Sequence, residues 1–366
     1  MGSNYYAAIM AGGGGTRLWP LSRKKRPKQA IKFFGDRTLF QVSVERVLPI
    51  IEPANILVLT VEDHAEILAK QEELLLTKNF IIEPSPRGTA SAIGLAAIYL
   101  NHRDPGSVMA CLTADHYMAN EPAFRELLLA AYEAALDDHL VTLGITPEAP
   151  DPTYGYIHKG EESNIYRGLR TFSVRAFKEK PDKDLARKYQ QSGDYSWNSG
   201  MFVWRTDRIL GEIQRQMPDL FSGLQEIEKA LDTDRERETV DAVWNELKSI
   251  TIDYGVMEGA DGVVVIPADD LGWIDVGDWN RLYKVLEKDE SGNVGDIESA
   301  LLLDTRGVLI LQEEQIDSGR LIAALGVDDL VIIDTEDVLL ICRREMADQV
   351  KRLVDFMDER DLGRYS

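Results

Sequence analysis

Short apolar runs alternate with longer amphipathic stretches from the start of this chain, and that alternation limits the fold more than any other feature. Tyr5–Met10 reads as a strand running into a glycine loop, and 56–60, Val108–Thr113 and 141–145 read as further buried strands. Helical patterns lie between them, around 39–48, 65–76, 90–102 and 124–136. All-apolar strands of this length, alternating with helices, belong to sheets covered on both faces. The expected class is therefore α/β, with a Rossmann-like mixed, mostly parallel sheet flanked by helices. Ligands in such folds sit at the carboxyl ends of the strands, which directs attention to the residues after Met10 and after Thr113. The middle of the chain is less regular, with strands expected near 171–180 and 200–204 and polar helices from about 206 to 248. Beyond about residue 291 come five short apolar runs separated by polar turns such as Thr305-Arg306-Gly307, then a last helix near 346–358. This divides the chain into a long N-terminal stretch, 1–290, and a small β-rich stretch ending in a helix, 291–366.

The chain has 366 residues and a formal net charge of -21. Charge of this sign repels nucleic acid and anionic membranes, so neither is an expected partner. No apolar run reaches the roughly 18 residues of a membrane span, and no basic segment precedes a long apolar one as in a secretion signal. The two cysteines, Cys111 and Cys342, lie in apolar runs and form no CxxC pair. Two buried free thiols in a reducing, cytoplasmic setting are expected. An acidic chain that handles phosphates must concentrate positive charge locally.

It does so near the N-terminus. The strand at Tyr5–Met10 leads into Ala11 and then Gly12, Gly13, Gly14 and Gly15, followed by Thr16 and Arg17. Without side chains, such a run can turn its backbone N–H groups onto phosphate oxygens. Leu18 occupies the place of the third glycine in a dinucleotide fingerprint, and no Gly-Lys-Ser/Thr ends the run as in a P-loop, so both of those classes are disfavoured. Six basic residues follow between Arg17 and Lys28 with no acid among them. Lys24, Lys25 and Arg26 read as solvated surface. Arg17, which closes the glycine loop, and Lys28, which Pro27 holds in a restricted direction, read as phosphate ligands.

Gly-Gly-x-Gly-Thr-Arg-Leu-Trp-Pro-Leu-Ser-Arg over 12–23, with Pro27-Lys28-Gln29, resembles the signature of the mannose-1-phosphate guanylyltransferases. They are a branch of the sugar-1-phosphate nucleotidyltransferases. Further blocks match in order as far as about residue 288. Asp115, in Leu112-Thr113-Ala114-Asp115-His116, reads on its own as a turn or cap residue. The resemblance makes it a Mg²⁺ ligand, with Thr113 standing where proline is usual, and gives it a partner in Asp275 of Trp273-Ile274-Asp275-Val276-Gly277-Asp278-Trp279. Asp278 itself reads as a helix N-cap. Glu179 and Lys180, ahead of Pro181, match a Glu-Lys-Pro block that implies contact with the sugar and its phosphate. Gly155, Asn198 and Asp253 fall in blocks that imply the sugar site, Asp253 either touching the sugar or bracing it. Glu83 and Thr89 fall in the block for the base, where Gly88 replaces the usual asparagine. Thr89 is equally a candidate helix cap.

The resemblance implies transfer of a nucleotidyl group from GTP to mannose 1-phosphate, giving GDP-mannose and pyrophosphate. A Mg²⁺ ion, Arg17, Lys28 and Lys180 would neutralise charge, and no covalent intermediate would form. Two other readings remain: a different sugar 1-phosphate and nucleotide pair, and a regulatory subunit that keeps the fold without turnover. Apolar faces on the C-terminal strands suggest a homodimer.

Overall fold

The structure, a computed structural model, describes residues 4–313, 320–360 and 362–366. Its chain divides into two compact units, the first formed by 1–12, 43–114 and 118–273, the second by 13–42, 115–117 and 274–366.

The first unit is built on β1 (Tyr5–Met10), whose first five residues are buried. Its parallel neighbours are β2 (Ile56–Val61), with Ala7 opposite Ile56, and β4 (Val108–Thr113), with Tyr5 opposite Val108. Between them in sequence come α1 (Glu62–Gln71), the edge strand β3 (Phe80–Glu83) and α2 (Thr89–Arg103). After β4 follow α3 (Glu121–Leu136), β5 (Leu140–Ile145), β6 (Tyr156–Tyr166), β7 (Leu169–Lys178), α4 (Lys183–Ser192) and β8 (Tyr195–Arg205). Three helices, α5 (Thr206–Gln216), α6 (Pro218–Ala230) and α7 (Glu236–Glu246), precede β9 (Val263–Ala268). These nine strands form one sheet in the order β3-β2-β1-β4-β8-β5-β9-β7-β6. Pairing is parallel from β3 to β4 and between β5 and β9, and antiparallel where β8 meets β4, β5 and β6 and where β7 meets β9 and β6.

Helices cover both faces because successive strand residues point to opposite sides. Tyr6 and Ala8 of β1 join a core with α2, α5, α6 and α7, whereas the Tyr5 hydroxyl donates to Leu128 O of α3 at 2.9 Å. Helix α2 is apolar nearly all round, as a helix wedged between sheet and helices must be. The expected α/β class is the class found. The expected helix at 65–76 begins and stops earlier, ending at Gln71 with Glu72 as its cap. Among the described residues no helix is long and apolar enough to cross a membrane.

The second unit gathers the residues after the glycine loop and the C-terminal part around one core. Leu18, Trp19, Ile31, Phe33, Val276, Leu282, Leu309 and Val331 are among its buried members. Trp279 opens α8 (Trp279–Val285), and its indole N–H donates to Trp19 O at 3.1 Å. Short strands then stack in parallel: β10 (Val294–Gly295), β12 (Leu309–Gln312) and β14 (Leu330–Asp334), with Val294, Leu309 and Val331 in one column. A second column pairs β11 (Leu301–Leu303) with β13 (Ala323–Leu325). Strand β15 (Leu339–Arg343) pairs antiparallel with β14, and α9 (Lys351–Asp358) follows a 3-10 turn at Arg344–Gln349. Stacked parallel columns of this kind are the pattern of a β-helix. Cys111 is buried and free, while Cys342 is free and only half-buried.

Candidate active site

In the second unit the glycine loop is held by its own carbonyls. Gly15 takes φ +67, a conformation that favours glycine, and the Leu18 N–H donates to Gly15 O at 2.9 Å. The Ser22 hydroxyl lies 2.9 and 2.7 Å from the carbonyl oxygens of Gly14 and Gly15. Among the described residues no protein group accepts from the N–H of Gly13 or Gly14, and both glycines are exposed. Two free, neighbouring N–H groups suit an anion. Thr16 and Arg17 form the exposed turn that follows.

A Cβ built on Gly15 would lie 2.6 Å from Lys28 Cβ, so a glycine here is what lets the Lys28 stem pass. Lys28 opens a short 3-10 turn after Pro27. Its ammonium is paired with the Asp115 carboxylate. Partial burial opposes ionisation of Asp115, but the charges of Lys28 and His116 and the Lys28 hydrogen bond outweigh it and hold the carboxyl at about 2. Asp115 O accepts from the Val276 N–H at 3.2 Å, which lays the Asp115 backbone beside the segment that carries Asp275. The Asp275 carboxylate accepts from Arg281 Nη1 at 2.7 Å. Arg17 Nη2 and the Asp275 carboxylate come within 3.2 and 3.3 Å of where a Cβ on Gly277 would sit. Asp278 caps α8, accepting from the Arg281 N–H at 3.0 Å, as its position before the helix suggests. Arg281 went unnoticed in the sequence. Its only signal there is its place in the first turn behind that cap.

Of the basic residues between Arg17 and Lys28, Arg23 is paired with Asp337 and Arg26 with Glu313. Much of that charge is therefore met by carboxylates of its own unit, and Arg26 is tied down rather than simply solvated.

The first unit carries the remaining predicted residues in two groups. In one, Asn198 Nδ2 donates to Asp253 Oδ1 at 2.6 Å and the Asn198 N–H donates to Gly155 O at 2.8 Å. A Cβ on Gly155 would lie 2.9 Å from Glu179 Oε2. Gly155, Glu179, Asn198 and Asp253 are thus brought together. Burial pushes the Asp253 carboxyl up, against the pull of the Asn198 hydrogen bond. Lys180 Nζ lies 2.9 Å from Glu179 Oε1, and Lys180 takes φ +36, a strained value for a residue with a side chain. The rings of Tyr154, Trp197 and Trp273 pack together, with Tyr154 4.9 Å from Trp197 and 5.2 Å from Trp273. This aromatic group was not singled out from the sequence, because its members are scattered along the chain.

In the other group, Glu83 ends β3 and is buried, with its Oε1 3.5 Å from where a Cβ on Gly12 would sit. Burial pushes its carboxyl up to about 7. Thr89 is the first residue of α2 and not its cap. The cap position falls to Gly88, and the Thr89 hydroxyl accepts from the Ile252 N–H at 2.8 Å.

Among the described residues no cluster of three or more His, Cys, Asp or Glu side chains forms a ready cation cage. Asp115 and Asp275 offer two hard oxygen donors, which suits an ion such as Mg²⁺ that completes its shell with water and substrate phosphate. Substituting Gly15 by alanine should push the Lys28 stem aside and strain the loop. Binding of a nucleoside triphosphate, followed by titration calorimetry, should weaken by about tenfold or more. Unchanged affinity would mean the loop does not hold the phosphates.

The chain matches the nucleotidyl transferase family over residues 6–292 and the MannoseP isomerase/GMP-like beta-helix domain over 298–357. It is 38% identical over 365 residues to the mannose-1-phosphate guanylyltransferase of Klebsiella pneumoniae, covering 98% of this chain and 74% of that protein. Identity to the mannose-1-phosphate guanylyltransferase ManC of Salmonella typhimurium strain LT2 is 40% over 357 residues, 96% of this chain and 72% of that one. A crystal structure from Thermus thermophilus, described as a mannose-1-phosphate geranyltransferase, superposes with a TM-score of 0.84 at 30% identity, over 97% of this chain and 99% of that one. With a nucleotidyl transferase match over most of its length and relatives of this kind along nearly all of it, the chain belongs to the nucleotidyltransferase family, in the group of the mannose-1-phosphate guanylyltransferases.

Proposed function

We propose that this protein joins α-D-mannose 1-phosphate to GTP, giving GDP-mannose and pyrophosphate. The observation that carries the reading is the set of phosphate-directed groups in the second unit: the free N–H groups of Gly13 and Gly14, Arg17, and Lys28 against Asp115. A phosphate oxygen of the sugar 1-phosphate attacks the α-phosphorus of GTP in line. The bond from that phosphorus to the β-phosphate bridging oxygen breaks, and pyrophosphate carries away the electron pair. The attacking oxygen is already ionised, so no general base is needed, and catalysis rests on positioning and charge neutralisation. Asp115 and Asp275 would hold a Mg²⁺ ion, whose charge offsets that developing around the α-phosphorus.

Arg17 and Lys28 hold the triphosphate together with the glycine loop and Thr16. Lys180 takes the sugar phosphate. Glu179 and Asn198 address sugar hydroxyls, with Gly155 leaving room for Glu179 and Asp253 holding the Asn198 amide. Glu83 accepts from the guanine N1–H and amine, and Thr89 fixes the loop beside it through Ile252. A catalytic stretch, 1–290, and a C-terminal stretch, 291–366, are proposed as domains; the two family matches support that division, whereas the compact units group 13–42 and 115–117 with the C-terminal part. We place the reaction in the cytoplasm, where nucleoside triphosphates and sugar phosphates are made. A homodimer is proposed through the face bearing Leu301, Leu303 and Leu325, which are exposed on neighbouring parallel strands.

Pyrophosphate release should be greatest with GTP and mannose 1-phosphate in a panel of GTP, ATP, UTP and dTTP against mannose and glucose 1-phosphates. Asp115→Ala and Asp275→Ala should abolish it while leaving circular dichroism unchanged. A maximum at another pair would keep the chemistry and discard the substrates, and silence throughout would favour a regulatory subunit. Because Glu83 must be ionised to accept from guanine, and its carboxyl sits at about 7, KM for GTP should rise about tenfold from pH 8 to pH 6. Glu83→Gln should flatten that dependence; a slope that survives the substitution would remove Glu83 from the base site. Light scattering should find a dimer that Leu303→Glu with Leu325→Glu converts to monomer, and a wild-type monomer would sink that proposal.

A further inference from the structure

Arg87 lies between Glu83 and α2 on the loop that the base assignment rests on. Its backbone is held from both sides. Pro84 and Pro86 restrict the approach, and the Trp244 indole N–H donates to Ser85 O at 2.6 Å. On the other side Gly88 takes φ +79 and packs so closely that a Cβ would lie 2.3 Å from Ile250 O. That same oxygen accepts from the Ala90 N–H at 3.2 Å, and the Ser91 hydroxyl donates to Arg87 O at 3.3 Å.

The side chain is treated quite differently. Arg87 Nε is buried without an acceptor, and among the described residues no carboxylate, carbonyl or ring takes the guanidinium. This occurs in a chain with 62 acidic residues against 41 lysines and arginines. Buried donors are nearly always paired, so an exception asks for a ligand. An arginine on a rigid loop that gives none of its five donors to the protein is a fork kept for another molecule.

The partner follows from the chemistry required at this loop. Glu83, when ionised, can only accept, and so matches the N1–H and amine of guanine. The other edge of guanine presents two acceptors side by side, O6 and N7, and a guanidinium is the side chain that meets such a pair in parallel. Adenine presents an amine donor in place of O6. Resting on the guanylyltransferase reading above, we propose that Arg87 reads the O6/N7 edge of GTP and is a specificity-determining residue for the base. Carboxylate and guanidinium then divide the two edges of guanine between them, and adenine is rejected at both.

The test compares kcat/KM for GTP, 7-deaza-GTP, ITP and ATP, with mannose 1-phosphate fixed, in wild type, Arg87→Met and Arg87→Lys. Each ratio is taken within one protein, so a loss of active fraction cancels. Wild type should prefer GTP to 7-deaza-GTP, which lacks N7, by about tenfold. Arg87→Met, which has no donor, should lose that preference, and Arg87→Lys, which keeps a donor but not the planar fork, should retain only part of it. Their preference for GTP over ATP should fall by about ten- to a hundredfold, while GTP over ITP, which differs only in the amine, stays as in wild type. A uniform drop across all four nucleotides would assign the guanidinium to phosphate or ribose and overturn the proposal, as would unchanged ratios. Failure of wild type to turn over GTP would overturn the guanylyltransferase reading and take this proposal with it. GTP turnover without a wild-type preference over 7-deaza-GTP would overturn this proposal alone.

Discussion

The pairing of the Lys28 ammonium with the Asp115 carboxylate is the contact on which the arrangement of the second unit's candidate site depends. Both side chains are largely withdrawn from water, at 12% and 23% exposure. Either charge alone would be costly there, because a charge that loses water needs a partner. Together they keep Asp115 ionised and hold the Lys28 stem along the glycine loop. Gly15 makes the pair possible by leaving space for the lysine stem. The Asp115 carbonyl in turn anchors Val276 and so brings Asp275 alongside. One ion pair, one glycine and one backbone bond therefore decide where two carboxylates and one lysine stand.

Net charge sets the second constraint. A chain at -21 can meet a polyanion only where positive charge is gathered locally. Arg23 and Arg26 are neutralised, by Asp337 and Glu313. They fasten the segment after the glycine loop to the C-terminal strands of the same unit, and so give that β-rich part a mechanical link to the loop. Exposed pairs of this kind contribute little to stability one at a time. Arg17 and Arg87 are left without protein partners among the described residues.

In the first unit the residues proposed for the sugar hold one another in place. Asn198 is fixed by Asp253 and by its own backbone bond to Gly155, and Gly155 is small because Glu179 lies against it. Lys180 sits in a left-handed conformation between Glu179 and Pro181. Such strain persists only where surrounding structure imposes it, and it gathers at sites that must present a group in one direction.

The sequence by itself was enough for the α/β class, because all-apolar runs such as Tyr5–Met10 and Val108–Thr113 can only be buried strands when helices alternate with them. It also marked 12–15 as a loop of unusual backbone, as Gly15 at φ +67 bears out, and Asp278 as a cap. Local spacing carries that information. It did not reveal the columns Val294, Leu309 and Val331, because strands of two to five residues joined by unequal turns leave no period to detect. Nor could it say that Arg23 and Arg26 would meet Asp337 and Glu313, that Thr89 would bond Ile252 rather than cap its helix, or that Arg87 would be left with no partner. Those outcomes join residues far apart in the chain, where which charge or hydroxyl finds which partner is set by the packing of the folded protein and not by the residues on either side.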